Sequence, residues 1–108
     1  MKARKKQRLE KAGWKVGSTK ELLGLTTEEE AFIELKLNLA QAIVERRTAR
    51  KMTQDQLARL LGSSQSRVAK MEAAHASVSI DLLIRGLFAL GVPIRNLGRD
   101  LAHPRRAA

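Results

Sequence analysis

The hydrophobic pattern is helical almost from end to end. From Thr27 to about Arg50 two apolar stripes run side by side, Phe32, Leu35, Leu39, Ala42 and Ile43 in one and Ile33, Leu37, Ala40 and Val44 in the other. Leu35, Leu37 and Leu39 also alternate as a strand would, but the helical repeat persists much longer and decides the matter. Thr27 with Glu30 three residues on predicts a capping box, with Glu28, Glu29 and Glu30 at the positive end of the helix dipole. Two stripes cover more surface than one small core needs. Such a helix is either buried on two sides of its own domain or offers one side to a dimer or partner.

Shorter helices follow. Thr53 can cap one whose inner face holds Leu57, Leu60 and Leu61. Gly62 can take the left-handed conformation of a sharp turn, and Ser63 and Ser64 offer the next cap. Val68 and Met71 then point inward, while Ser66, Lys70 and Ala73 face out between Gln65, Arg67 and Ala69. Ser79 caps a fourth helix with Asp81 in its first turn and Ile80, Leu83, Leu87 and Leu90 on one face, ended by Gly91. Pro93 suits the start of a fifth, where Ile94, Leu97 and Leu101 recur at helical spacing.

Composition narrows the picture. A chain of 108 residues is the size of one domain. With aromatics at 3% and no cysteine, Leu, Ile, Val and Ala must fill the interior, and disulfides, thiolate metal sites and thiol nucleophiles are excluded. No apolar run could span a bilayer or complete a secretory signal, so the protein is expected in the cytoplasm. The expected architecture is all-α: a basic arm with a short helix over residues 1–25, a five-helix domain over 26–102, and a disordered tail over 103–108.

The net charge of +10 favours polyanionic partners without choosing among them. Its distribution is uneven. Residues 1–20 hold eight Lys or Arg against Glu10 alone, around Trp14; residues 21–45 hold six Glu against Lys36 alone. The arm is either a mobile segment with a docking point at Trp14 or a solvated charge run.

An enzyme is not expected. His75 and His103 are the only histidines, and there is neither a Gly-rich phosphate loop nor a metal-ligand spacing, so no metal or cofactor is expected either. The outward face of the helix at 65–72 instead fits a DNA major groove, being basic, free of acids and small at its centre. Gln65, Ser66, Arg67 and Lys70 are the candidate base readers, Gln65 suiting adenine and Arg67 or Lys70 guanine. Thr53, Gln54, Ser63 and Ser64, at helix N-termini, are the candidate phosphate contacts. Two-fold operators are read by two such modules, which implies a homodimer, through the long helix or through Ile94, Leu97 and Leu101.

Residues 53–72, TQDQLARLLGSSQSRVAKME, resemble the phage-repressor-like (XRE) helix-turn-helix regulators, matching the pattern TQxxLAxxxGxxQxxVxxxE at Thr53, Gln54, Leu57, Ala58, Gly62, Gln65, Val68 and Glu72. The resemblance implies a buried ion pair between Arg47 and Glu72. It departs after Glu72, where AAHAS stands in place of the usual Gly or Asn; either the helix runs on or Ala74 sits in a strained loop. More widely, Trp14 to Leu101 is similar to the HigA-type antitoxins of toxin-antitoxin pairs. This similarity implies a repressor of its own promoter that also neutralises a RelE/HigB-like ribonuclease toxin, with Trp14, Leu22, Leu23 and Phe32 as candidate toxin contacts. A stand-alone regulator with no toxin partner is the alternative.

Overall fold

The computed structural model describes residues 26–102, and these are all-helical. The expectations placed on the arm, its short helix, Trp14, Leu22, Leu23 and the 103–108 tail lie outside the described residues. Five helices follow one another: α1 (Thr27–Ala49), α2 (Gln54–Leu61), α3 (Gln65–Glu72), α4 (Ile80–Ala89) and α5 (Ile94–Ala102). The long α1 is the spine, against which α3, α4 and α5 pack; α2 lies on α3 and touches α4.

Local chemistry places the helix starts. Thr53 makes a full capping box, its hydroxyl accepting from Gln56 N–H (3.0 Å) while the Gln56 side chain accepts from Thr53 N–H (2.7 Å). Ser64 and Ser79 likewise accept from the N–H groups of Arg67 and Leu82 (both 3.1 Å). At α1 the sequence expectation is off by one residue. Thr26, in extended backbone, is the cap and accepts from Glu29 N–H; Thr27 is already helical, so its hydroxyl cannot reach back over the first turn.

Helix ends repeat one device. In each of α1 to α4 a left-handed residue just past the helix lets two successive N–H groups turn back onto the last carbonyls. These residues are Lys51, Gly62, Ala74 and Gly91, with φ of 55°, 65°, 53° and 84°. After α3, for example, Ala74 N–H donates to Met71 O (3.1 Å) and His75 N–H to Lys70 O (3.0 Å). Thus α3 stops at Glu72 without glycine, and the departure noted in the sequence is met by a strained alanine. Its methyl group is buried against Ile33, Leu37 and Ala40 of α1, which compensates part of the strain.

The main core joins Leu39, Ala42 and Ile43 of α1 to Leu57, Val68, Met71, Leu83 and Leu87. Fully burying each Leu or Ile contributes about 1.5–3 kcal/mol. The two stripes of α1 are therefore both largely used within the domain, one in this core and the other around Ala74, while Phe32 stays about half exposed.

Two expected inward residues face out. Leu60 is 51% exposed: because Ala58 is buried, the inner face of α2 is centred on Leu57 and Ala58, and Leu60 falls on the far flank. Ile94 is 78% exposed at the first position of α5, and only Leu97 and Leu101 of its trio reach the core.

Candidate nucleic-acid interface

The turn at Gly62 sets α2 and α3 against each other, and Leu57, Ala58, Val68 and Met71 bury their shared side. What remains of α3 is a polar ridge on which Gln65, Ser66, Arg67 and Lys70 are all exposed. No acidic residue lies in its first turn. Beside the ridge, a cleft of about 300 Å3 opens between α3, the 73–79 loop and α4, lined by Ser64, Ser66, Arg67, Lys70, Ser77 and Leu82. It gathers Arg67 and Lys70 next to three hydroxyls, a lining suited to phosphate oxygens as well as to base edges.

The residues expected at phosphates are placed unevenly. Thr53 and Ser64 are exposed, but each hydroxyl is engaged in capping its own helix; Ser63 is half-buried in the turn. Gln54 is turned inward. Its amide nitrogen donates to Glu72 Oε1 (3.0 Å), and its oxygen accepts from the Gln65 amide (2.6 Å).

Beneath this pair lies the ion pair. Arg47 Nε and Nη2 donate to the two carboxylate oxygens of Glu72, the second at 3.0 Å, while Nη1 donates to Met52 O (2.8 Å). The Arg47 side chain is only 14% exposed. Its guanidinium is raised above the ordinary arginine value by the hydrogen bond to Glu72, which outweighs burial, with the Coulombic attraction of the same carboxylate adding to it. A bidentate pair of this kind joins α1 to the C-terminal turn of α3.

Sequence reasoning missed two further anchors. Lys36 is 2% exposed, and its ammonium donates to His75 O (3.2 Å), tying α1 to the loop beside the cleft. Burial pushes it below the ordinary lysine value. On the other side of α1, Arg46 reaches the buried carboxylate of Asp100 in α5 (3.4 Å). Neither partner is near the other in sequence, and only a helical phase read jointly for α1 and α5 would have suggested the second.

Among the described residues no group of three potential metal ligands converges, and no helix is long and apolar enough to cross a membrane. A helix-turn-helix family model matches residues 43–97, from the C-terminal half of α1 into α5, just over half of the chain. Neither a curated protein nor a solved structure matches the chain. With the two-helix reading unit, its polar ridge and this match in place, the chain belongs to the XRE-type helix-turn-helix family of DNA-binding transcription regulators.

Proposed function

We propose that this regulator is a sequence-specific repressor that lays α3 in the major groove of a two-fold operator as a homodimer, and that it is the antitoxin of a toxin-antitoxin pair. The observation that carries the first part is the exposed, acid-free ridge of Gln65, Ser66, Arg67 and Lys70, held on a helix whose opposite side is locked into the core. Gln65 and Arg67 near the N-terminus of α3 read base edges; Lys70, lining the cleft, serves bases or phosphates; Thr53, Ser63 and Ser64 lie along the phosphate path.

The antitoxin role is supported by the resemblance of residues 14–101 and by charge. Toxins that cleave RNA are basic, and the exposed start of α1 offers Glu28, Glu29 and Glu30 beside Phe32. The protein would then act in the cytoplasm and without catalysis of its own.

Titration into its own promoter DNA beside a scrambled duplex, followed by anisotropy at about 0.15 M salt, tests the first part. Specific binding should exceed non-specific by roughly a thousandfold, and Arg67→Ala should remove most of that preference. Equal, salt-sensitive binding to both duplexes would refute sequence-specific repression. Co-expression with the neighbouring small open reading frame tests the second part: a co-purifying complex supports the antitoxin, and recovery of the regulator alone leaves a stand-alone one.

A further inference from the structure

The charge of the chain is divided sharply along its length. Residues 26–102 carry eleven Lys or Arg against nine Asp or Glu, so the helix bundle is close to neutral, at +2. Residues 1–25 carry eight bases against Glu10 and Glu21, and residues 103–108 add Arg105 and Arg106. Most of the net charge of +10 therefore lies outside the bundle, and the largest share, +6, precedes α1.

Within the bundle few cations are left for a phosphate backbone. Arg47 is bound to Glu72 and Arg46 to Asp100, Arg59 lies 3.2 Å from Asp55, and Lys36 is buried on the His75 carbonyl. Arg50 donates to Leu90 O, and Arg85, Arg95 and Arg99 stand on α4 and α5. Lys51 sits at the turn into α2, and the ridge itself has Arg67 and Lys70. Proteins that hold duplex DNA through its charge engage about six to ten phosphates. Hydroxyls and backbone N–H groups position that backbone but release no counterions, so two or three cations fall short.

The start of α1 puts the missing charge at the edge where it is needed. Ile33, Leu37 and Ala40 pack around Ala74, just after α3, and Lys36 holds His75 O. Thr26 precedes Ile33 by seven residues, about 10 Å along a helix axis. Residues 1–25 thus join the fold beside the end of α3. The first turn of α1 is exposed and acidic, with Glu28, Glu29 and Glu30, and repels phosphates. Contact with the backbone must begin upstream of it, at Lys20, Lys15 and Lys11 and onward. Twenty residues span at most about 70 Å, enough to pass beyond the base pairs that one helix covers.

We infer that residues 1–20 form a second DNA-binding site, which neutralises backbone phosphates flanking the base pairs under α3 and supplies most of the sequence-independent affinity. The near-neutral bundle supplies the discrimination. The same charge repels a basic protein partner, so DNA rather than a toxin is assigned to this segment. The inference needs the chain to bind duplex DNA, as its family does; it does not need α3 to read an operator.

The test combines Lys2→Gln, Arg4→Gln, Lys5→Gln, Lys6→Gln, Arg8→Gln and Lys11→Gln in the full-length chain. This variant, wild type and Arg67→Ala are titrated into promoter and scrambled duplexes over a range of salt. For the sixfold variant the slope of log affinity against log salt should become shallower by about three to five per chain. Its affinity for the scrambled duplex at 0.15 M salt should fall about a hundredfold or more. Its melting temperature should match wild type, and its promoter-over-scrambled ratio should stay within about twofold. Arg67→Ala should do the reverse, lowering the ratio and changing the slope by about one.

An unchanged slope overturns the inference: residues 1–20 then leave the backbone alone, as they would if they served a protein partner or lay against Glu28, Glu29 and Glu30. A lost ratio with an unchanged slope overturns it too, and makes the segment a base reader. Failure of the repressor reading looks different. Wild type then binds both duplexes equally, and the slope of the sixfold variant still reports on residues 1–20.

Discussion

Adjacent arginines on α1 hold opposite sides of the molecule, and they do so unequally. Arg47 is nearly enclosed, grips Glu72 through two nitrogens and caps the Met52 carbonyl with a third. Arg46 leaves 36% of its side chain exposed and reaches Asp100 through a single nitrogen at 3.4–3.5 Å. The neighbouring tie on that side, Asn38 to Leu101 O, is also stretched to 3.5 Å. The side facing the reading helix has, in addition, Ala74 sealed under α1 and Lys36 on the His75 carbonyl. The difference teaches where this fold invests rigidity: α3, the helix proposed above to read bases, is clamped to α1 by short polar ties and a sealed loop, whereas α5 is held by longer, more exposed ones.

The largest effect expected follows directly. Arg47→Ala strips two hydrogen bonds from the buried Glu72 and should cost about 3–5 kcal/mol in urea unfolding, whereas Arg46→Ala removes one long contact made by a more exposed arginine and should cost less, about 1–3 kcal/mol, since it too leaves a buried carboxylate, Asp100. Equal losses would abolish the contrast between the two sides. Amide exchange gives an independent check, with α5 opening at lower free energy than α3.

A smaller effect separates the two strained helix ends. Lys51 is exposed and gains nothing from its side chain in the left-handed conformation, so Lys51→Gly should stabilise by about 1 kcal/mol. Ala74→Gly relieves similar strain but removes a methyl group from the cluster of Ile33, Leu37 and Ala40. It should fall within about 0.5 kcal/mol of neutral in thermal melts, since burying one methyl contributes about 0.8 kcal/mol. A clear gain at both sites would mean that the Ala74 contact is idle.

The smallest effect is a pH slope. Because burial lowers the Lys36 value in the folded state, the folded protein binds fewer protons than the unfolded chain between that value and the ordinary lysine value of about 10.4. Stability therefore gains from this group as pH rises through that window. The stability of wild type relative to Lys36→Met, compared by denaturant unfolding, should improve over the same range; a flat difference would show the ammonium to be solvated.

Much of this architecture was legible in the chain because its causes are local. Thr53, Ser64 and Ser79 cap the residues that immediately follow them, Gly62 and Gly91 supply the backbone that a turn needs, and Val68 and Met71 share one helical face. Features that depend on how helices cross were not. Leu60 looked inward until the burial of Ala58 showed the phase of α2; Lys36 counted only as the one base of a Glu-rich stretch, its burial depending on the loop after α3; Asp100 found Arg46 only across the core. Arg47 with Glu72 was anticipated by family resemblance, since nothing in their spacing requires it. At the reading ridge, the candidate residues were visible as a polar face, but the inward turn of Gln54 was not, because it is set by a carboxylate on another helix.

Glu72 therefore has two duties that cannot be varied separately. The carboxylate that closes the interior also terminates the chain of hydrogen bonds leading to Gln65. A search for new operator preferences that varies Ser66, Arg67 and Lys70 over an unchanged Gln54, Gln65 and Glu72 would keep the Gln65 amide tied to the layer beneath it. Freeing position 65 from that tie calls for a different side chain there or for rewiring the layer beneath it, and the second route draws on the same residue that keeps the domain folded.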